Sequence, residues 1–570
     1  MQIIKIKFAM PYDVLYRQSL NSVIAVAALM ATGYSLAAPI DVGNPDIKLR
    51  WDNTVKYSAS MRVKDQSDTL TKNVPPTPGG GKGPAALNGD DGDRNFKRGR
   101  LISNRFDLLS EMDLVYREDF GMRVSGAAWY DDVYNRENDN DSPATNNSLS
   151  VRNNKFTDDT RELHGRKAEI LDAFVFGGTD IGTARVSGRL GQHTVLWGES
   201  LFYGANAIAG TQSPVDAIKA SSVPGSTTKE IIMPVGQFSG QIQFSPALTL
   251  IGFYQYEWDA TRLPAAGSYF SVADFLGDGG ERIRVAPGVP GNGLARAGDI
   301  SARDNGQFGL GLRTQLGDWE FGVYGIRYHA KTPVVYSRVP APTGISGAGL
   351  GTYQLVYPED IKAFGISATT TVGSLNYAGE ISVRRDTPLT SLPQNVGRAE
   401  ADNNNHAFYA IGNSFHANLS MIWSMPRNFL SDEPTLTMEV AYNQMTSCTS
   451  NCNAMDPGLD RRAEAVRAVF AAPQRNVMDG LDLTPSFTVG YNHGKSPVVQ
   501  LGPNNGGDMT FTLAGNYLTV WDFSLAYTHY YGGENTATYA STDPTVNGTF
   551  TFAQTLKDRD FVSVSLRRTF

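Results

Sequence analysis

The 570 residues are more than one ordinary soluble core holds, yet no proline- and glycine-rich linker and no abrupt change of composition divides them, which favours one large closed architecture. Gly (58), Phe (27) and Tyr (25) are abundant and Cys (2) is scarce. Beyond the N-terminus no stretch reaches the roughly 18 uninterrupted apolar residues of a membrane helix, so a membrane crossing would have to be made of strands. A formal charge of -7 argues against nucleic acid as a partner.

The first residues read as a targeting segment. Lys5, Lys7 and Arg17 precede an apolar run from Val23 to Met30, and Ser35-Leu36-Ala37 places small residues where a signal peptidase cuts. Residues 1–37 are expected to be a cleaved signal peptide and residues 38–570 a single barrel domain; the run is too short for a membrane anchor, and Met10 is an alternative start. Cleavage removes three Lys/Arg and one Asp, taking the charge from -7 to -9.

The strongest strand signal follows at Ile47 to Val63. One face carries Ile47, Leu49, Trp51, Asn53, Val55, Tyr57, Ala59, Met61 and Val63, and the other carries only polar residues. Phe106, Leu108, Met112, Leu114 and Tyr116 then alternate with Arg105, Asp107, Glu111 and Asp113, and after a tight turn Met122, Val124, Ala128 and Tyr130 repeat the pattern. The same hairpin recurs at Phe238 to Trp258 around Ser245-Pro246-Ala247, at Phe308 to Tyr328 around Gly317-Asp318, and at Phe364 to Val383 around Gly373-Ser374. In the third hairpin Tyr324, Ile326 and Tyr328 are assigned to the apolar outer face.

Long polar segments separate these hairpins, and short turns alternate with long loops down the chain. That asymmetry predicts a transmembrane antiparallel up-and-down barrel in the outer membrane, all-β, with short periplasmic turns and long extracellular loops. We count eighteen strands, with sixteen to twenty as the range, starting near 47, 101, 122, 167, 183, 234, 248, 305, 319, 361, 375, 412, 435, 463, 482, 507, 520 and 558. In the last strand Val562, Val564, Leu566 and Phe570 share a face, and the terminal Phe570 looks like the signal read by the barrel-assembly machinery. Arg568 places a charge on that same face, a departure from its apolar pattern, and is expected to snorkel. Lipids and lipopolysaccharide are the implied surroundings.

With the apolar set outside, the lumen carries Arg105, Asp107, Glu111, Asp113, Arg123, Arg185, Arg189, Glu257, Arg313, Arg327, His329, Glu380, Arg384, Glu439 and Asp522, charges of both signs that select solutes by charge and dipole. Glu199 to Glu230 mixes Phe202, Tyr203, Ile208, Val215 and Ile218 with Gly and Ser, and Ser213-Pro214 is placed to open a short helix through Lys219. Apolar groups in a loop need burial, so this segment is expected to fold inward as a plug or constriction, the rival being a cap over the mouth. Cys448 and Cys452 suggest a small disulfide loop in an exported protein rather than a metal site. No catalytic motif appears; Ser414, His416 and Asn418 share an inward face as such triplets do by chance, and no enzyme, cofactor or metal is expected. Asn88 to Asp93 (NGDDGD) resembles part of a calcium loop without its distal Glu and reads as an exposed acidic turn.

Several segments together resemble the proteobacterial outer-membrane family catalogued as domain of unknown function 1302. They are Asn88 to Phe96, Arg189-Leu190-Gly191 with Trp197-Gly198-Glu199-Ser200, Ser213 to Asp216, Lys229-Glu230 with Pro234, Phe253 to Trp258, Asp274 to Gly277, Tyr324 with Tyr328-His329, Tyr357 to Asp360, Gly379-Glu380 and Asp558 to Phe561. Trp197, Glu199 and Asp216 join the lumen candidates. The resemblance implies work beside a periplasmic carrier protein and an exporter of the resistance-nodulation-division type, in pathways handling hydrophobic or aromatic compounds. Arg384-Arg385 and the Cys448/Cys452 loop depart from the family pattern. The leading expectation is a channel for a small hydrophobic or aromatic molecule; the alternative is a structural or partner-docking barrel without a pore of its own.

Overall fold

The computed structural model describes residues 40–71, 86–284, 293–339, 350–537 and 550–570. The predicted signal peptide lies outside them. Eighteen antiparallel strands form a closed ring: β1 (Ile47–Arg62), β2 (Leu101–Tyr116), β3 (Phe120–Asp131), β4 (Arg166–Ile181), β5 (Ala184–His193), β6 (Val235–Ser245), β7 (Leu248–Gln255), β8 (Gln307–Leu316), β9 (Trp319–Tyr328), β10 (Ile361–Val372), β11 (Leu375–Pro388), β12 (Ile411–Ser424), β13 (Thr435–Ser450), β14 (Arg462–Ala471), β15 (Leu481–Gly494), β16 (Gly506–Tyr517), β17 (Trp521–Tyr531) and β18 (Phe561–Thr569). Each strand pairs with its sequence neighbour, and β1 closes the ring on β18 from Thr54 opposite Thr569 to Arg62 opposite Phe561. Phe570 and Asn53 exchange backbone hydrogen bonds of 2.8 and 2.9 Å beyond that register. A further short strand, Gln474–Met478, pairs only with the start of β15. Every strand begins no more than three residues from its sequence-based position.

Turns and loops divide between the two rims. At one rim two-residue turns dominate; Gly317 and Gly373 adopt φ +62° there, a conformation that lets the turn follow the strand twist. At the other rim the long loops gather, and Arg282–Arg284, Gly293–Arg296, Val334–Arg338, Gly351–Val356 and Gln394–Asn395 form a second small sheet over the mouth. The barrel is inside out relative to a soluble core: Trp51, Leu310 and Leu419 are more than half exposed on its outer face, whereas Ser58, Arg62, Glu439 and Asn443 are fully buried on the inner one. Arg568, on the outer face, lies over the Trp521 ring. Cys448 and Cys452 are joined by a disulfide at the loop end of β13.

Four sequence expectations are corrected. On β9 the faces are exchanged: Tyr324, Ile326 and Tyr328 point inward and are buried, while Val323 is outward and Arg327 sits opposite outward Phe308. Both faces of WEFGVYGIRY are apolar, so alternation alone does not choose between them. Strand β7 stops at Gln255, leaving Glu257 exposed beyond the strand, where it accepts a 2.6 Å hydrogen bond from the Gly236 N–H. The short helix after Pro214 spans Ala217–Ser222, its N-terminus capped by Asp216, whose side chain accepts from Lys219 N at 2.8 Å. Asn88 to Asp93 is no exposed turn: Asp90, Asp91 and Asp93 are all buried.

Candidate functional site: the barrel interior

The loop between β5 and β6, residues 194–234, enters the barrel and touches two opposite walls. Its first half lies on β10 to β13. Glu380 on β11 accepts the N–H groups of Glu199 and Ile208, both at 2.6 Å, and Arg384, four residues further along the same face, donates through Nη2 to the carbonyls of Ala205, Asn206 and Ala207 at 2.9–3.0 Å. Glu439 on β13 takes Ser200 Oγ at 2.8 Å, the N–H groups of Leu201 and Tyr203 at 3.0 and 3.1 Å, a shorter bond from Phe202, and Asn418 Nδ2 at 2.7 Å. A buried carboxylate needs such donors; backbone N–H groups supply them here with no positive side chain.

Asn206 is the next anchor. Its Oδ1 meets His416 Nδ1 and Asn443 Nδ2, both at 3.0 Å, and its Nδ2 bonds Asn418 Oδ1 at 2.9 Å. His416 Nε2 lies 2.8 Å from Ser414 Oγ. The third member of this row is Asn206 of the loop rather than Asn418, and Ser414 and His416 are each 1% exposed, so the arrangement is sealed beneath the loop it holds.

Apolar packing completes this half. Trp197, Ile208, Ile251, Phe253, Tyr324, Ile326 and Tyr328 form one buried cluster, with Trp197 against Phe253 at 5.0 Å and Tyr324 at 5.7 Å between ring centres. Inward-facing Gly309 leaves room for it: a Cβ there would lie 2.5 Å from the Phe253 ring and 3.0 Å from Trp197. The β9 residues assigned to lipid from sequence are the seat of the loop.

The second half lies on β1 to β4, half a turn around the eighteen-stranded ring from β11 to β13. Asp216 Oδ2 and both oxygens of Glu169 on β4 hold Arg262 at 2.7–3.1 Å. Lys219 stands 3.6 Å from Glu169 and 4.9 Å over the Trp129 ring. Lys229 bonds Glu111, and Glu230, which closes a capping box with Thr227, lies 3.6 Å from Lys56 on β1. Glu111 also pairs with Arg123, which reaches Asp113 at 3.0 Å and Asp172 at 3.2 Å. Arg105 bonds Asp107 at 2.7 and 2.9 Å and stacks over Trp129 at 4.7 Å. A cavity of about 210 Å³ opens here beside Lys56, Asp107, Lys229 and Arg567.

The remaining candidates divide by height. Towards the short-turn rim Arg185, Arg189, Arg313 and Trp197 line a cavity of about 460 Å³. Arg185 is paired with Asp119 and Asp180; Arg189 stacks over Phe174. Towards the long-loop rim, Arg327 pairs with Asp360 at 2.7 Å from the outer face, and His329 is locked by Asn305 O at 2.9 Å and Asp360 N at 3.0 Å. Glu257, Arg327 and His329 therefore lie outside the constellation that Glu111, Glu199, Asp216, Glu380 and Arg384 form around the loop. Sequence reasoning gave no role to Asn206, Lys219, Lys229, Glu230 or Arg262. Lys229-Glu230 stood out as a motif, but its wall partners Glu111 and Lys56 are distant in sequence.

The wall from β14 to β18 is different. Its inward residues bond chiefly to one another: Arg467 to Asp508 at 2.6 Å, Asp522 to Arg567 at 2.8 Å, Thr510 to Thr528 at 3.0 Å and Ser524 to Ser565 at 2.7 Å. A cleft of about 260 Å³ separates it from residues 219–226 of the loop and is lined by Thr512, Ser524, Ala526 and Thr528.

The model of the family described as "Protein of unknown function (DUF1302)" matches residues 19–570. No curated protein matches the chain. Among solved structures, OccAB2 of Acinetobacter baumannii aligns at 9% identity and a TM-score of 0.41 over 92% of this chain and 98% of that one. The outer membrane channel DcaP of the same organism aligns at 9% and 0.36 over 94% and 100%, and a BenF-like porin from Pseudomonas fluorescens at 9% and 0.35 over 92% and 98%. Similarities this low say nothing of cargo.

Proposed function

The chain belongs to the DUF1302 family of proteins of unknown function, and we propose that it is an outer-membrane channel for a small hydrophobic or aromatic molecule, narrowed at mid-height by residues 194–234. The observation that carries this reading is the loop pinned to two opposite walls of a polar interior while the β14 to β18 wall keeps an open cleft. A belt bearing Trp51, Leu190, Phe238, Leu310, Phe364 and Leu419 would cost about 25 cal/mol for each Å² left in water, and a bilayer removes that cost. An even strand number returns both ends of the barrel to one side, so the short turns face the periplasm and the long loops the exterior. The Ser414–His416 contact is sealed beneath the loop, which favours passage over catalysis at that point. Hydrophobic or aromatic cargo, a periplasmic carrier and an exporter rest on the family resemblance, and engagement of the barrel-assembly machinery rests on the terminal Phe570.

Planar-bilayer recording of the purified full chain tests the channel. The wild type is expected to conduct, and deletion of residues 205–225 to raise single-channel conductance. A barrel that conducts in neither form, with no growth defect on hydrophobic substrates when its gene is removed, overturns the reading. The number of bonds that Glu380, Arg384 and Glu439 make to the loop favours a second version, a closed plug released by a partner; then the wild type is silent and only the deletion conducts.

A further inference from the structure

Three long loops meet over the mouth of the barrel, and at their junction lie Asp90 and Asp91 from the loop between β1 and β2, Asn147 from the loop between β3 and β4, and Asp274 from the loop between β7 and β8. One carboxylate oxygen from each of the three Asp residues lies within 4.8 Å of the others, which is the span across a cation with oxygen ligands at about 2.4 Å on opposite sides. All three are buried, at 0%, 4% and 1% exposure.

The second observation is independent of the acidic cluster. Asn147 is neutral and 2% exposed, and its Nδ2 donates to Asn88 Oδ1 at 2.7 Å and to the Arg282 carbonyl at 2.9 Å, which fixes the amide orientation. Its Oδ1 has no protein donor. Asn147, Asp91 and Asp274 line one space of about 10 Å³, the size of a single small sphere. Asp274 is alike: Oδ2 accepts the Asp91 N–H at 3.2 Å and Oδ1 meets no protein donor. Unsatisfied buried oxygens are costly, and two on residues that line the same small space call for a common positive partner.

The neighbouring cations do not supply it: Lys155, which borders the same space, is exposed and bonds neither oxygen. Arg94 pairs with Asp90. Arg282 and Arg284 turn their guanidinium groups to the carbonyls of Asn146 and Ser148, at 2.6–3.1 Å, and Arg559 bonds the carbonyls of Tyr269 and Ser271.

We propose that Asp90, Asp91, Asp274 and Asn147 form a calcium site that ties three external loops together above the channel mouth. The donors are all oxygen, carboxylate and amide, the hard set that calcium takes in flexible geometry, whereas magnesium demands a tighter octahedron. The sequence run NGDDGD lacks a distal Glu because the third carboxylate comes from Asp274, some 180 residues further on.

Calcium chloride titrated by calorimetry into the full-length folded barrel, stripped with EGTA, is expected to bind at one site per chain and more tightly than magnesium. At ten times the dissociation constant, protease cutting within residues 87–95, 140–148 and 270–284 is expected to slow by about tenfold. Asp274→Asn is expected to abolish both effects, while in EGTA its loops are cut no faster than wild type because a repulsive charge has gone. Asn147→Ala, which leaves every carboxylate in place, weakens calcium binding and serves if the Asp274 variant fails to fold, as judged by heat-modifiable migration. Absence of calcium binding to the wild type, or equal binding by both variants, overturns the proposal.

Discussion

The wall from β10 to β13 and the wall from β14 to β18 are built from the same strand pattern but spend their inward polar groups differently. On the first, Glu380, Arg384 and Glu439 face across the lumen to the backbone of residues 199–208, and Asn418 to the side chain of Asn206. On the second, Arg467, Asp508, Asp522 and Arg567 pair along the wall and leave the cleft bordered by hydroxyl groups. The difference teaches how a barrel sets its bore. Where wall groups bond inward, a loop is fixed and space is filled; where they bond sideways, they are satisfied without occupying the lumen.

The sharpest way to break the comparison is to unfasten the covered wall. Glu380→Gln with Glu439→Gln keeps side-chain shape but removes both charges, each bond to a charged acceptor being worth about 1.5–3 kcal/mol. Loss of a few such bonds is expected to raise the open fraction by about tenfold or more in single-channel records. If the double variant, shown folded by heat-modifiable migration, gates as the wild type does, those bonds do not hold the constriction. Next in size, Thr512→Trp on the bare wall fills the cleft and is expected to lower conductance by about half. Unchanged conductance there would place the path elsewhere.

How much of this was legible beforehand follows the same division. The barrel scaffold was readable because each strand states its own alternation: β1, β2 and β18 carry an apolar and a polar face within a dozen residues, and turns such as Gly317-Asp318 mark their ends. The apolar content of Phe202, Tyr203 and Ile208 announced that the β5–β6 loop needed burial. What was not readable is where that burial happens. Its seat on β9 consists of Tyr324, Ile326 and Tyr328, which look like lipid-facing residues because a buried inner face and a lipid-facing one are equally apolar. Small inward Gly309 beside Leu310 and Leu312 was the available clue, a strand hollowed to receive aromatics. Anchors such as Asn206 with His416, or Asp274 with Asp91, join residues some 180 to 210 apart, and no local period encodes such pairs.

A smaller test concerns charge rather than bore. Arg467→Ala leaves Asp508 without its 2.6 Å partner on the bare wall, adding one uncompensated negative charge beside the cleft. The cation-to-anion permeability ratio, from reversal potentials in a salt gradient, is expected to rise about twofold and to lose that gain in high salt. The equivalent loss on the covered wall, Arg384→Gln, should instead alter gating, because Arg384 holds three carbonyls of the loop. Selectivity changes from both variants would erase the distinction between the walls.

The smallest effect lies outside the walls, where the β3–β4 loop meets the β7–β8 loop. His164 is 3% exposed, stacks on Tyr134 at 4.7 Å and accepts the Ala265 N–H at Nε2 over 3.2 Å, which requires that nitrogen to be unprotonated. Burial, with the positive charges of Arg105 and Arg262, lowers it from 6.5 to about 3. Because the folded value lies below the unfolded one, this contact contributes fully above pH 6.5 and loses strength as pH falls towards 3, at about 1.4 kcal/mol per unit, or about 2 kcal/mol by pH 5. Hydrogen exchange of residues 161–165 and 263–266 is expected to quicken between pH 6.5 and 5 beyond the intrinsic pH dependence of exchange, while exchange in β11 and β13 holds steady. His164→Gln should remove that excess. An identical excess in the variant would assign the acid response to another group and leave the covered wall, not the loops, as the place to look for it.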